Sequence, residues 1–307
     1  MTHRRSGFAL MAALWLVVLV GITGYELSVR SRARRLAIAN SLEAVQAKGA
    51  AEAASQTAQA VLALLLKQNQ ADPWRQLTGF RADTSSFGDE RAMARVVDVG
   101  SLLQINRASE DDIRRLLAAL PLDAGDADRL AQCIMDWKDA DNARRGRGAE
   151  RDDYLVMGAR VLPPNATVAS IEDLRNVNGV TSALYARFSL YVTVHGSGKI
   201  NVNSAPRVVL RSLAGLTDEA IDVLLATRQS TRPIRSMEEL MQRVSSGSRA
   251  ALLNAGSELA GKIIFDTRQV LIESDGWVVG SPVRSHMSVV VERSGDAMNI
   301  VASHVVR

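Results

Sequence analysis

The chain has 307 residues, 47% of them hydrophobic and 4% aromatic, with a formal net charge of +4. That length can bury more than one core. The small positive excess, partly supplied by Arg4 and Arg5, gives no global case for nucleic-acid binding, and the sparse aromatics argue against a base-stacking surface. The single cysteine, Cys133, excludes an intrachain disulfide and, within the apolar run 130–135, reads as a buried helix residue.

The N-terminus is a basic leader, Thr2-His3-Arg4-Arg5-Ser6-Gly7, followed by an apolar stretch from Phe8 to Tyr25 with no charge before Glu26. As a helix this stretch is about 27 Å long, enough to cross the hydrocarbon core of a bilayer. It admits three readings. A secretory signal needs a small-residue cleavage site, and 22–28 has no clear A-x-A pattern. A plain signal anchor fits the length. The third reading cuts at Gly7–Phe8 and keeps the helix; a small residue followed by Phe after a basic leader resembles the processing site of type IV prepilins and pseudopilins. Arg4 and Arg5 place the leader in the cytoplasm. Arg30, Arg32, Arg34 and Arg35 weaken that argument, but are tolerable if the helix continues as a rod beyond the membrane. Residues 32–68 support this, being proline-free and rich in Ala, Leu, Glu and Gln.

Asp72-Pro73-Trp74 stops the pattern, and 79–91 reads as loop. Residues 92–105 predict one or two strands, and 108–262 is predominantly helical. From Ile263 onward, β-branched runs at 263–265, 270–272, 277–279, 286–292 and 299–306 alternate with Asp275-Gly276, Gly280-Ser281-Pro282 and Ser294-Gly295-Asp296. These predict a small antiparallel sheet. The economical fold is α+β: a long helix on the sheet, with the helical block inserted between strands. An internal echo pairs Ile105-Asn106-Arg107-Ala108 with Val202-Asn203-Ser204-Ala205, and Asn106 and Asn203 are expected to cap helices.

The acidic run Asp136-Trp137-Lys138-Asp139-Ala140-Asp141, with Gly148-Ala149-Glu150, is the best candidate site. Asp136, Asp139, Asp141 and Glu150 are hard oxygen donors suited to Ca²⁺. Asp139 to Glu150 has the spacing of an EF-hand loop, but Ala143 and Arg144 occupy its middle and exclude that motif. Arg144, Arg145 and Arg147 could equally neutralise the acids without a metal.

In order, the uncharged helix from Phe8, the acidic run, Gly148-Ala149-Glu150, Lys199-Ile200-Asn201-Val202-Asn203-Ser204-Ala205-Pro206 and the β-rich tail resemble the K-type minor pseudopilin of type II secretion systems. The resemblance covers nearly the whole chain. It is reinforced at Ala12, the fifth residue after the proposed cut, where most pilins carry glutamate. It implies a leader at 1–7 removed by prepilin peptidase, a methylated Phe8 and a transmembrane helix at 8–29. A periplasmic pseudopilin domain would comprise 30–106 and 263–307, with an inserted helical domain at 107–262. It further implies an inner-membrane protein with a periplasmic bulk that binds calcium. Its partners would be the I- and J-type minor pseudopilins and the major pseudopilin. It would cap a pseudopilus, start its assembly and support protein export. Ala12 then marks the tip, because a subunit with none above it needs no glutamate to neutralise a neighbour's amine.

The competing class is a membrane-anchored DNA-binding protein like the competence receptors. Segments 174–191 and 213–228 read as helix-hairpin-helix units with glycine turns at Gly179 and Gly215. The first lacks a cation beside Gly179, while Asp218, Glu219 and Asp222 follow the second and would repel phosphate, so a packing role is expected and no nucleic acid. An enzyme is not expected either. The four histidines form no local ligand motif, and Gly196-Ser197-Gly198-Lys199 is too short for a phosphate loop and reads as a turn.

Overall fold

The computed structural model describes residues 5–67, 81–83, 88–228, 233–294 and 297–306. Residues 1–4 of the leader, the stop at Asp72-Pro73-Trp74 and the turn residues Gly295 and Asp296 lie outside them. Gly7 and Phe8 are within the first helix, but their side chains lie outside the description.

Helix α1 (Arg5–Lys67) runs unbroken for 63 residues. Its C-terminal half lies on a five-stranded antiparallel sheet of β1 (Arg81–Asp83), β2 (Glu90–Asp98), β7 (Gln269–Val278), β8 (Arg284–Ser294) and β9 (Ala297–Val306), in the order β1-β2-β7-β8-β9. The buried stripe of α1 is Ala47, Ala50, Ala51, Ala54, Ala58 and Leu62, the spacing of one helical face. Small side chains bring its axis close to Ala92, Ala94, Val96, Val270, Ile272, Val289 and Val291 on the sheet. The N-terminal half projects, with Leu10, Leu14, Leu19, Ile22, Leu36, Ile38, Leu42 and Val45 exposed. Among the described residues, α1 alone is long and apolar enough to cross a membrane.

Three strand expectations need correction. The stretch read as loop contains β1, which pairs with β2. The run from Ile263 gives β6 (Ile263–Ile264), which pairs with β5 (Ile200–Asn201) outside the main sheet. Asp275-Gly276, read as a turn, lies inside β7. A Cβ on Gly276 would sit 2.0 Å from the Ala47 carbonyl oxygen and 2.6 Å from Ala51 N. This glycine lets α1 touch the strand; it does not turn the chain.

Between β2 and β7 the chain forms a second core running from Leu103 to Ile263. It contains two units of like design. The first opens with β3 (Leu103–Gln104), passes through α2 (Glu110–Ala118), α3 (Ala124–Lys138), α4 (Arg151–Val156), a 3₁₀ turn at Ile171–Asn176 and α5 (Ser182–Phe188), and closes with β4 (Val192–Thr193) parallel to β3. The second opens with β5, passes through α6 (Arg207–Leu210), α7 (Asp218–Arg228), α8 (Met237–Gln242) and α9 (Ser246–Lys262), which breaks at Gly256, and closes with β6 parallel to β5.

The echoed asparagines do not cap helices. Each sits in the turn after an opening strand, closed by Ala108 N to Gln104 O and Ala205 N to Asn201 O, both 2.9 Å. From there the amide reaches across the unit. Asn106 Nδ2 donates to Val168 O at 2.9 Å and its Oδ1 accepts from Val168 N at 2.8 Å. Asn203 Nδ2 donates to Ile234 O at 2.7 Å and Phe265 O at 2.8 Å. The N-caps are Ser109 and Pro206 instead. The echo therefore marks a repeated strand-closure device.

Candidate metal centre

The acidic cluster forms where α3 ends and α4 begins. Asp136 is on the last turn of α3 and fully buried, Asp139 is its C-cap, and Glu150 is the N-cap of α4. Asp153 Oδ2 accepts from Glu150 N at 2.9 Å and so seats α4. The loop between them folds back because Gly148 has no side chain: a Cβ there would lie 1.8 Å from Asp136 Oδ2. Behind the site, the Trp137 and Tyr154 rings pack at 5.5 Å, and the Tyr154 hydroxyl accepts from Asn178 N at 2.7 Å. The first hairpin thus braces the two helices that carry the carboxylates.

Asp136, Asp139 and Glu150 each present an oxygen within 4.8 Å of the others. Two ligands of one Ca²⁺ can be separated by at most about twice the usual 2.3–2.6 Å bond, so this spread fits a shared ion. Asp141, the fourth expected ligand, falls outside the cluster. It is exposed, and its Oδ1 accepts from Ala143 N at 2.7 Å. Of the three arginines, Arg145 alone enters. Its Nη1 lies 2.6 Å from Asp136 Oδ1 and also bonds Asp139 Oδ2, while Nε faces Glu110 at 3.3 Å. Arg144 turns to Asp153 at 3.1 Å, and Arg147 N donates to Gln132 Oε1 at 2.7 Å.

One guanidinium does not satisfy three carboxylates. Asp139 Oδ1 and both Glu150 carboxylate oxygens are buried without a hydrogen-bond partner. Burial, and then the Asp136 and Asp139 charges, push the Glu150 carboxyl above its usual range. Buried, unpartnered hard oxygens beside like charges fit a divalent cation. Sequence reasoning named these three carboxylates as candidates but missed the part played by Gly148, whose only signal was its place two residues before Glu150.

Both hairpin turns lie against other parts of the fold, and the first has a cation that its own sequence lacks: a Cβ on Gly179 would sit 2.5 Å from Arg129 Nη1 of α3. Gly179 and Gly215 have φ of +85° and +82°. A Cβ on Gly215 would lie 2.2 Å from the Ala255 Cβ, so α9 covers that turn. The acids after it are engaged within the fold: Asp218 with Arg211 at 2.9 Å, Asp222 with Arg207, and Glu219 with Ser245 N at 2.8 Å.

A family model described as type II secretion system (T2SS), protein K, matches residues 91–197, which include the acidic cluster and the whole first unit. Proteins described as type II secretion system protein K align from Klebsiella pneumoniae (27% identical, covering 66% of this chain and 67% of that protein), Pseudomonas aeruginosa (28%, covering 69% of each) and Dickeya chrysanthemi (30%, covering 58% of this chain and 47% of that protein). Over these regions the chain is similar to type II secretion system protein K. The relatives are named as components of a type II secretion system. A chain in the crystal structure of the GspK-GspI-GspJ complex from the type 2 secretion system of enterotoxigenic Escherichia coli superposes with a TM-score of 0.65. That match covers 91% of this chain and 99% of the other at 16% identity, a likeness of fold.

Proposed function

We propose that this chain is a minor pseudopilin of a type II secretion system, of the protein K kind, that caps the pseudopilus tip, with I- and J-type minor pseudopilins beside it and the major pseudopilin below. The observation that carries the reading is the division of α1. Its C-terminal half is built into the sheet, while its N-terminal half projects with an apolar surface that has no partner in the described chain. Such a helix can anchor the subunit in the inner membrane and then pack among other pseudopilin helices. The sheet and the two helical units would lie in the periplasm. On this reading the pseudopilin domain ends with β2 at Asp98 and resumes with β7 at Gln269; the insertion expected at 107–262 is longer by one strand at each end, because β3 and β6 close the helical units and not the main sheet.

Prepilin peptidase would cut at Gly7–Phe8 and leave a methylated Phe8 as the new N-terminus. Ala12 suits a tip subunit, which has no amine above it to neutralise. The tip complex would start assembly and support export across the outer membrane. Asp136, Asp139 and Glu150 would hold Ca²⁺, which supplies positive charge between α3 and α4 beyond what Arg145 provides.

The mass of the mature N-terminus tests the foundation. In cells with prepilin peptidase the chain should begin at methylated Phe8, and a chain that still begins at Met1 there would overturn the pseudopilin reading. Restoration of export in a type II secretion strain lacking its protein K tests the rest.

A further inference from the structure

The two edges of the main sheet differ. At one edge β1 has three residues, and at the other β9 has ten. Among the described residues β9 pairs only with β8, so its outer backbone groups face away from the sheet. Edge strands of this length are ordinarily guarded by lysine, proline, inward-facing charge or a bulge, and β9 has a bulge at Val301 but none of the guarding side chains. The β9 sequence, Ala297-Met298-Asn299-Ile300-Val301-Ala302-Ser303-His304-Val305-Val306, has no Lys, Arg, Asp, Glu or Pro. Ile300 and Val301 are 61% and 55% exposed. The register places Ile300 beside Val291, a member of the core between the sheet and α1. The apolar layer therefore runs out to the edge without a strand to finish it.

We propose that β9 accepts a further β-strand: an extended, uncharged, β-branched segment of another polypeptide chain. Backbone pairing would supply the affinity, and a charged side chain opposite Ile300 and Val301 would lose hydration without a counter-charge. Val290 pairs with Ala302 and Val291 with Ile300, which leaves Val301 as a bulge and divides the acceptor into two short ladders. A second copy of this chain is a poor occupant. Antiparallel pairing of two β9 strands would turn their α1 helices in opposite directions, and one bilayer could not take both apolar ends. The exclusion of a second copy rests on the membrane role proposed for α1; the strand chemistry does not.

The test uses the full chain in detergent micelles and two blocked ten-residue peptides, one alternating Thr and Val, the other carrying two central lysines. Hydrogen exchange is read across 297–306. The neutral peptide should slow exchange there about tenfold while the lysine peptide leaves it unchanged. Ile300→Lys, in a chain whose unfolding midpoint is unchanged, should abolish the effect. Absence of slowing, equal slowing by both peptides, or full slowing in Ile300→Lys would overturn the proposal. Slowing that appears without peptide and grows with protein concentration would assign the edge to a second copy and overturn it as well. None of these outcomes depends on leader cleavage or on export.

Discussion

Asn201 Nδ2 donates to Asp98 Oδ2 across 2.8 Å, joining the end of β2 to the opening strand of the second helical unit, 103 residues later. The same buried carboxylate accepts from Thr267 Oγ1 at 2.7 Å, Ser204 Oγ at 2.6 Å and Gly100 N at 2.9 Å. Asp98 is thus the joint between the sheet and the inserted units, and it gives a physical role to Asn201 and Ser204 of the Asn-Val-Asn-Ser-Ala-Pro block. Asp98→Ala would strand donors from three segments and should cost about 3 kcal/mol or more. Denaturant unfolding of the full chain in detergent measures the loss. A cost below about 1 kcal/mol would show that the joint is held by other contacts.

Gly276→Ala should be among the most damaging small substitutions in the sheet. The new methyl would meet the Ala47 carbonyl oxygen at 2.0 Å, and that oxygen belongs to helix backbone that cannot rotate away. Either α1 lifts or β7 bends, at a cost of about 3 kcal/mol. Thermal unfolding, with hydrogen exchange along α1, would register both. Gly261→Ala is the control, because nothing lies within 4 Å of its added Cβ.

Millimolar Ca²⁺ should raise the unfolding midpoint and chelation should reverse it, with a gain of about 2–3 kcal/mol if the ion is a hundredfold above its dissociation constant. Glu150→Gln should remove most of that response. Asp141→Asn should retain it, since Asp141 lies outside the cluster. A wild-type chain indifferent to Ca²⁺ in calorimetry would leave Arg145 as the sole counter-charge.

Burial pushes the Cys133 thiol up from 9.0 to about 11. The folded chain then holds this proton more tightly than the unfolded chain. The resulting stability is complete below pH 9 and is lost as pH rises toward about 11. The stability difference between wild type and Cys133→Ala should therefore shrink across that window. At about pH 8 a maleimide should leave native Cys133 unlabelled and react once the chain is unfolded.

Ala12→Glu should leave export near the wild-type level if alanine is present only because the tip needs no glutamate. Crosslinks from residue 12 to a major pseudopilin above it would show instead that alanine keeps this subunit out of the shaft.

The order of elements was legible because its signals are local. An uncharged helix after a basic leader, a proline-free stretch and β-branched runs each report the environment of neighbouring residues. The acidic run was legible for the same reason: Asp136 and Asp139 are three residues apart at one helix end, and Glu150 opens the next helix. Asp141 misled because spacing counts residues along the loop and not the direction in which the loop folds. The two echoed asparagines misled because a cap and a cross-unit clamp use the same amide, and Val168 and Ile234 are far away in sequence.

By itself, then, the sequence determined the apolar helix, the α+β composition and three of the carboxylates that cluster, all properties of residues and their neighbours. The tertiary structure decided which carboxylates converge, that Gly148 and Gly276 are points of close approach, and that Asp98 holds the two cores together. Those outcomes depend on packing between segments up to 169 residues apart, such as Thr267 on Asp98, and no local period encodes them.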